Sequence, residues 1–186
     1  MSIVPGSLSS VAAQSGRSLA ESFLHCDAIV IVDTSGSMSG CDAPGGRSRY
    51  QSATAELEAL QQQLPGKIAV LAFSDRCEFC PGGIPVFLGS GTDVAGALSF
   101  ARLADVPGMQ FYLISDGEPD SEGDALAVAA LYQAHINTIY VGPERGTRGR
   151  AFLAKLAAAT GGQSAVAELT KALGETVKRQ MLTAVH

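Results

Sequence analysis

Asp33, Ser35 and Ser37 stand at alternating positions in Asp33-Thr34-Ser35-Gly36-Ser37, directly after the apolar run Ala28-Ile29-Val30-Ile31-Val32. Their side chains offer oxygen atoms only. Hard oxygens gathered in a tight loop suit Mg²⁺, Mn²⁺ or Ca²⁺ and not zinc. On spacing alone a plainer role is equally open, in which the two serines cap backbone groups of the turn. The preceding run is apolar on both faces and β-branched. That predicts a strand buried on both sides, as in a parallel sheet. A polar loop at the carboxyl end of such a strand is where open α/β sheets bind ligands.

Two further stretches add to this loop. Gly91-Thr92-Asp93 precedes an alanine-rich helical stretch, and the apolar strand Met109 to Ser115 ends in Asp116-Gly117-Glu118-Pro119. With these in place, the sequence resembles the von Willebrand factor A (VWA) family. The family's metal-ion-dependent adhesion site (MIDAS) is Asp-x-Ser-x-Ser, then a distant Thr, then a distant Asp. Asp33, Ser35, Ser37, Thr92 and Asp116 match those five positions in order. The phrases Val-Asp-Thr-Ser-Gly-Ser-Met, Phe73-Ser74-Asp75, Gly-Thr-Asp and Ser-Asp-Gly-x-Pro match as well, and the likeness runs from about Cys26 to Ala184.

The resemblance implies a three-layer, doubly wound α/β fold. Its sheet is mostly parallel, with one short antiparallel edge strand and helices on both faces. It places the first strand beside the one ending in Asp116, so that Asp33 and Asp116 meet at the topological switch point. It further implies a divalent cation, Mg²⁺ or Mn²⁺, held by the five residues. Ca²⁺ is the poorer fit because it prefers more ligands and longer bonds. Only two of the five are carboxylates, so the ion keeps positive character and an open position. A Glu or Asp of a partner protein completes it. Intracellular members of the family often work with AAA+ ATPases or in multi-protein assemblies. The expected function is therefore a non-catalytic, metal-dependent protein-binding module.

Two other classes compete with it. Asp33-Thr34-Ser35 is similar to the start of the aspartyl-phosphate phosphatase motif, but the second Asp of that motif, the acid/base, would be Ser35 here. No GxxxxGK[ST] phosphate loop is present. The other class is a structural subunit of a larger bacterial or viral particle.

The chain has 186 residues, 46% hydrophobic and 17% charged, which suits one globular domain with a sizeable core. Net charge is −5 without blocks of like charge, so no nucleic-acid footprint is expected. No stretch reads as a membrane span or as a secretory signal, and the expected location is the cytoplasm. The four cysteines, Cys26, Cys41, Cys77 and Cys80, are then expected as free thiols without zinc. Cys77 and Cys80 have zinc-knuckle spacing. On a strand, however, their odd separation points them to opposite faces.

Residues 1–25 read as an N-terminal extension, either a short helix packed on the domain or an arm used in assembly, and 26–186 as the VWA domain. Strands are expected near 28–33, 67–74, 77–80, 109–115, 136–141 and 163–167. Ser39 to Arg49 reads as an exposed loop. Tyr50, Ala53, Leu57, Leu60 and Leu64 mark one face of a helix stopped by Pro65-Gly66. Asp93 is an expected N-cap. Further helices are expected from the acidic stretch Glu118 to Asp124 through about Ala134, over Ala151 to Ala159, and over Leu169 to Leu182. Gly142 to Gly149 reads as a loop carrying Arg145 and Arg148, rim charges able to meet an anionic partner.

Overall fold

The structure is a computed structural model, and it describes residues 3–42, 46–117, 119–142 and 147–166. Six strands form one sheet: β1 (Ala28–Asp33), β2 (Ile68–Phe73), β3 (Cys77–Phe79), β4 (Gln110–Ser115), β5 (Ile136–Tyr140) and β6 (Ser164–Val166). Their order is β3-β2-β1-β4-β5-β6. All pairs are parallel except β2 with β3, which is antiparallel and short. This is the α/β sheet expected, with its antiparallel strand at the edge. The order reverses at β1, which lies between β2 and β4, so the crevice beyond β1 and β4 is the switch point.

The sheet forms because its strands are apolar on both faces. Every residue of β1 and β2 is buried. Ile29, Ile31, Leu71, Phe111 and Leu113 point to one layer, and Val30, Val32, Val70, Tyr112 and Ile114 to the other. The first layer is closed by α4 (Val94–Ala101), α5 (Glu122–Ala129) and α6 (Thr147–Ala159), through Leu98, Ala125, Phe152 and Leu156. The second is closed by α3 (Arg49–Gln63), through Ala53, Leu57 and Leu60. Each fully buried Leu or Phe contributes about 1.5–3 kcal/mol, so these two layers dominate the stability. Capping sets the helix starts. Ser48 and Gln51 form a capping box for α3, and the Asp93 carboxylate accepts from Gly96 N at 2.8 Å to start α4.

The N-terminal segment is docked on the domain. It carries two short helices, α1 (Leu8–Ser15) and α2 (Leu19–Phe23). Val4 and Leu8 are buried, Val4 N donates to Gly82 O, and Ser9 N to Pro81 O. Gly6, at φ 87°, lies so close to the Gln61 carbonyl that a Cβ would collide with it.

Two helices differ from expectation. α5 ends at Ala129 and not near Ala134. The Asp105 carboxylate accepts the amides of Gln133 and Ala134, and the Tyr132 hydroxyl donates to Leu98 O, so this stretch is drawn off the helix axis. No Gly or Pro marks that end in the sequence. α6 begins at Thr147, so Arg148 lies in its first turn and not in a loop. There it stands 3.9 Å from Glu122. Arg145 and the expected helix over Leu169 to Leu182 lie outside the described residues.

Candidate metal centre

Thr34 anchors the loop after β1. Its amide and hydroxyl both donate to Phe73 O of β2, at 2.8 and 2.9 Å, and its carbonyl accepts from Gly89 N. With Thr34 turned toward β2, Asp33, Ser35 and Ser37 are left to face β4. Ser35 then starts a 3-10 turn over Gly36–Ser39.

Asp33 is fully buried. Its Oδ1 accepts from Ser35 N at 2.8 Å and its Oδ2 from the Ser115 hydroxyl at 2.6 Å. The Ser115 oxygen in turn accepts from Gly117 N at 2.9 Å. The hydroxyls of Ser35 and Ser37 lie 3.1 Å apart, and Ser37 donates to Asp116 Oδ1 at 3.0 Å. Side-chain hydrogen bonds thus tie Ser35 and Ser37 to Asp116, and Asp33 holds Ser35 by its amide.

Thr92 is placed alongside through its backbone. Its amide donates to both carboxylate oxygens of Asp120 at 3.2 Å, and its carbonyl accepts from Asp120 N at 3.1 Å. A Cβ on Gly117 would lie 3.5 Å from Asp33 Oδ2 and 3.8 Å from Thr92 Cγ2, so Gly117 is the narrow partition between them. The loop before Thr92 is latched to the Asp33 loop by Ser90, whose carbonyl accepts from Gly36 N at 3.3 Å. Ser90 has φ 72°, a left-handed conformation that costs a non-glycine residue about 1 kcal/mol.

Three residues absent from the expected set belong to this centre. Ser115 follows Ile114, which pairs with Val32, so the parallel register carries it beside Asp33. Arg49 donates from Nη1 to Asp116 Oδ2 and from Nε and Nη2 to Asp42. Asp120 holds Thr92. The register of two non-consecutive strands would have located Ser115. Arg49 carried a different signal: a cation in the first turn of a helix opposes the helix dipole and calls for acidic partners.

Burial pushes the Asp33 carboxyl above the ordinary range. Hydrogen bonds from Ser115 and Ser35 oppose this, and the nearby Asp116 charge adds to it. The hydrogen bond from Arg49 holds Asp42 below that range. Among the described residues no ion pair reaches Asp33, whose partners are neutral donors. A buried carboxylate facing a second carboxylate, with hydroxyls between, fits a hard cation. Among the described residues no group of three or more His, Cys, Asp or Glu is placed to hold a metal ion. Between Asp33 and Asp116 the linking side chains are the Ser35 and Ser37 hydroxyls.

The cysteines lie apart from it. Cys77 packs against the first core layer and Cys80 in the second, so the two thiols face opposite sides of the sheet. Burial pushes the thiols of Cys26 and Cys77 up to about 11 and raises Cys80. Cys41 is exposed. In native buffer at pH 8, Cys41 should react with a thiol reagent within minutes and the other three only after denaturation. A total below four in denaturant without reductant would contradict this.

No known family profile matches the chain, and no curated protein sequence matches it. Solved structures do match. An aerotolerance-related membrane protein from Bacteroides fragilis, carrying multiple mutations to serines, superposes with TM-score 0.67 at 15% identity, over 85% of this chain and 99% of that one. BatB from Bacteroides thetaiotaomicron gives TM-score 0.63 at 15% identity, over 86% and 98%. A von Willebrand factor type A protein from Catenulispora acidiphila gives 0.57 at 19% identity, over 83% of this chain and 42% of that one. The fold is that of a VWA domain. At these identities the likeness is one of fold. In this VWA fold the Asp33 and Asp116 loops share the switch-point crevice, and the Thr92 loop borders it. Among the described residues no helix is long and apolar enough to cross a membrane.

Proposed function

We propose that this VWA-fold chain is a non-catalytic protein-binding module that works through a divalent cation, Mg²⁺ or Mn²⁺. Asp33, Ser35, Ser37, Thr92 and Asp116 would hold the ion. When bound, it supplies positive charge and an open position for a Glu or Asp of a protein partner, an AAA+ ATPase or another assembly subunit. The observation that carries this reading is Asp33: a buried carboxylate, solvated by neutral donors only, beside a second carboxylate. A binding role is favoured over phosphoryl chemistry because Ser35 occupies the position where a phosphatase needs its second carboxylate, and a hydroxyl is a poor acid or base there. A cytoplasmic location, where thiols stay reduced, is part of this proposal.

The test is capture of partners from host extract on the immobilised chain, in magnesium and in chelator. Recovery should fall at least about tenfold in chelator, because removing the ion leaves two buried carboxylates facing the partner's acid. Thr92→Ala should weaken capture. Changing the partner's acidic residue to its amide should cost much of the affinity. Equal recovery of the same partners in both conditions would place binding on another face.

A further inference from the structure

Arg49 is the first residue of α3 and is fixed from several sides. Its amide donates to Gly40 O at 3.1 Å. Its Nε and Nη2 form a fork onto Asp42, leaving Nη1 to donate to Asp116 Oδ2. A Cβ on Gly40 would stand 3.4 Å from Arg49 Cζ and 3.3 Å from Ser37 O, so the backbone of the serine loop passes closely over the guanidinium. The Arg49 side chain is 14% exposed and that of Asp116 only 1%. A guanidinium held by a fork on one side is an oriented donor and not a mobile point charge.

This divides the two oxygens of Asp116 between two tasks. Oδ1 accepts from Ser37 and faces the hydroxyls, whereas Oδ2 is taken by Arg49. The other three carboxylate oxygens of Asp33 and Asp116 accept from neutral donors, which leave them open to a cation, whereas the guanidinium charge repels one from Asp116 Oδ2. We infer that Arg49 restricts Asp116 to one coordinating oxygen and thereby sets the centre for a small octahedral cation against calcium. The inference rests on the metal reading proposed above. Mg²⁺ and Mn²⁺ suit six single oxygens, whereas Ca²⁺ takes six to eight ligands and readily uses carboxylates with both oxygens. Freeing Oδ2 adds the ligand that calcium lacks here. Asp42 acts through Arg49 and is a positioning residue.

The test is calorimetric titration of the whole chain with Mn²⁺ and with Ca²⁺, for wild type, Arg49→Met and Asp42→Asn. Circular dichroism reports whether each variant is folded. Removing a positive charge strengthens binding of both ions, and because both are divalent that effect cancels in the ratio of their affinities. Wild type should prefer Mn²⁺ by about tenfold or more, and Arg49→Met should lower the preference by about tenfold, mostly through tighter calcium binding. Asp42→Asn should lower it less, because the guanidinium loses its anchor and not its charge. It decides the matter alone if Arg49→Met does not fold. A wild type that binds neither ion overturns the metal reading and this inference with it. A wild type without preference, or one whose preference is unchanged in the folded variants, overturns this inference and leaves the metal reading standing.

Discussion

With Mg²⁺ at about one hundred times its dissociation constant, the wild-type chain should melt about 5–10 °C higher than in chelator, and Asp33→Asn should abolish the shift. A ligand at that excess stabilises the folded state by about 2.7 kcal/mol, and a domain of this size gains about 2–4 °C per kcal/mol. Asparagine keeps the Oδ1 acceptor for Ser35 N and sets an amide beside the Ser115 hydroxyl, which reorients to accept. What it lacks is the charge. Without metal the sign reverses. Burial raises the Asp33 pKa in the folded state. Its stabilising contribution is then complete below the ordinary aspartate value of about 3.9 and is lost as pH rises through the raised folded value. Because the folded-state value is raised, Asp33 is a net cost to the metal-free fold at neutral pH, so in chelator Asp33→Asn should be at least as stable as wild type. Melts of both proteins at pH 5 and pH 7, in magnesium and in chelator, give the comparison. An Asn variant that gains as much from magnesium as wild type does would remove Asp33 from the centre.

What could be read from the chain alone was whatever short stretches encode. The run from Ala28 to Val32 is buried on both faces because nothing in it tolerates water, and its end at Asp33 is visible as a jump in polarity. The order of Asp33, Ser35, Ser37, Thr92 and Asp116 pointed to one crevice; the parallel register of β1 and β4 sets the Asp33 and Asp116 loops side by side, and the Thr92 loop is tied in by its backbone bonds to Asp120. Ser115 and Arg49 were hidden for a different reason. Ser115 meets Asp33 across 82 positions of sequence, and Arg49 meets Asp116 across 67. Such contacts depend on strand register and on which way a helix turns its first residue, and neither is a local property. Arg49 looked like the tail of an exposed loop, but its unfavourable place at a helix start makes sense once two carboxylates surround it. A local rule broken at one residue marked the centre. The end of α5 was unreadable because the Asp105 carboxylate, from another part of the chain, holds the amides of Gln133 and Ala134 that would have continued the helix.

The close packing behind the centre should make one small substitution costly and a similar one favourable. Gly142 follows β5 and is buried. A Cβ there would collide with the Tyr140 hydroxyl and lie 2.9 Å from Asp116 O. Neither neighbour yields easily: Tyr140 is among the largest buried side chains, and the Asp116 carbonyl belongs to the turn that carries a proposed ligand. Gly149, in the first turn of α6, presses on the same turn, with a Cβ position 3.2 Å from Asp116 O and 3.0 Å from Gly117 O. The turn cannot retreat from Gly142 without meeting α6. Gly142→Ala should therefore destabilise the chain by about 2–3 kcal/mol, at the upper end for overpacking by one methyl group, and should weaken Mg²⁺ binding as well. Gly123, in the first turn of α5, has nothing within 4 Å of its Cβ position. There alanine adds no contact and only removes backbone freedom from the unfolded chain, so Gly123→Ala should stabilise by about 0.5 kcal/mol and leave ion affinity unchanged. Chemical denaturation of both variants, followed by magnesium titration, decides the case. If Gly142→Ala lowers stability but binds magnesium as wild type does, the strain is absorbed by Tyr140 alone, and the Asp116 turn is free to move independently of β5.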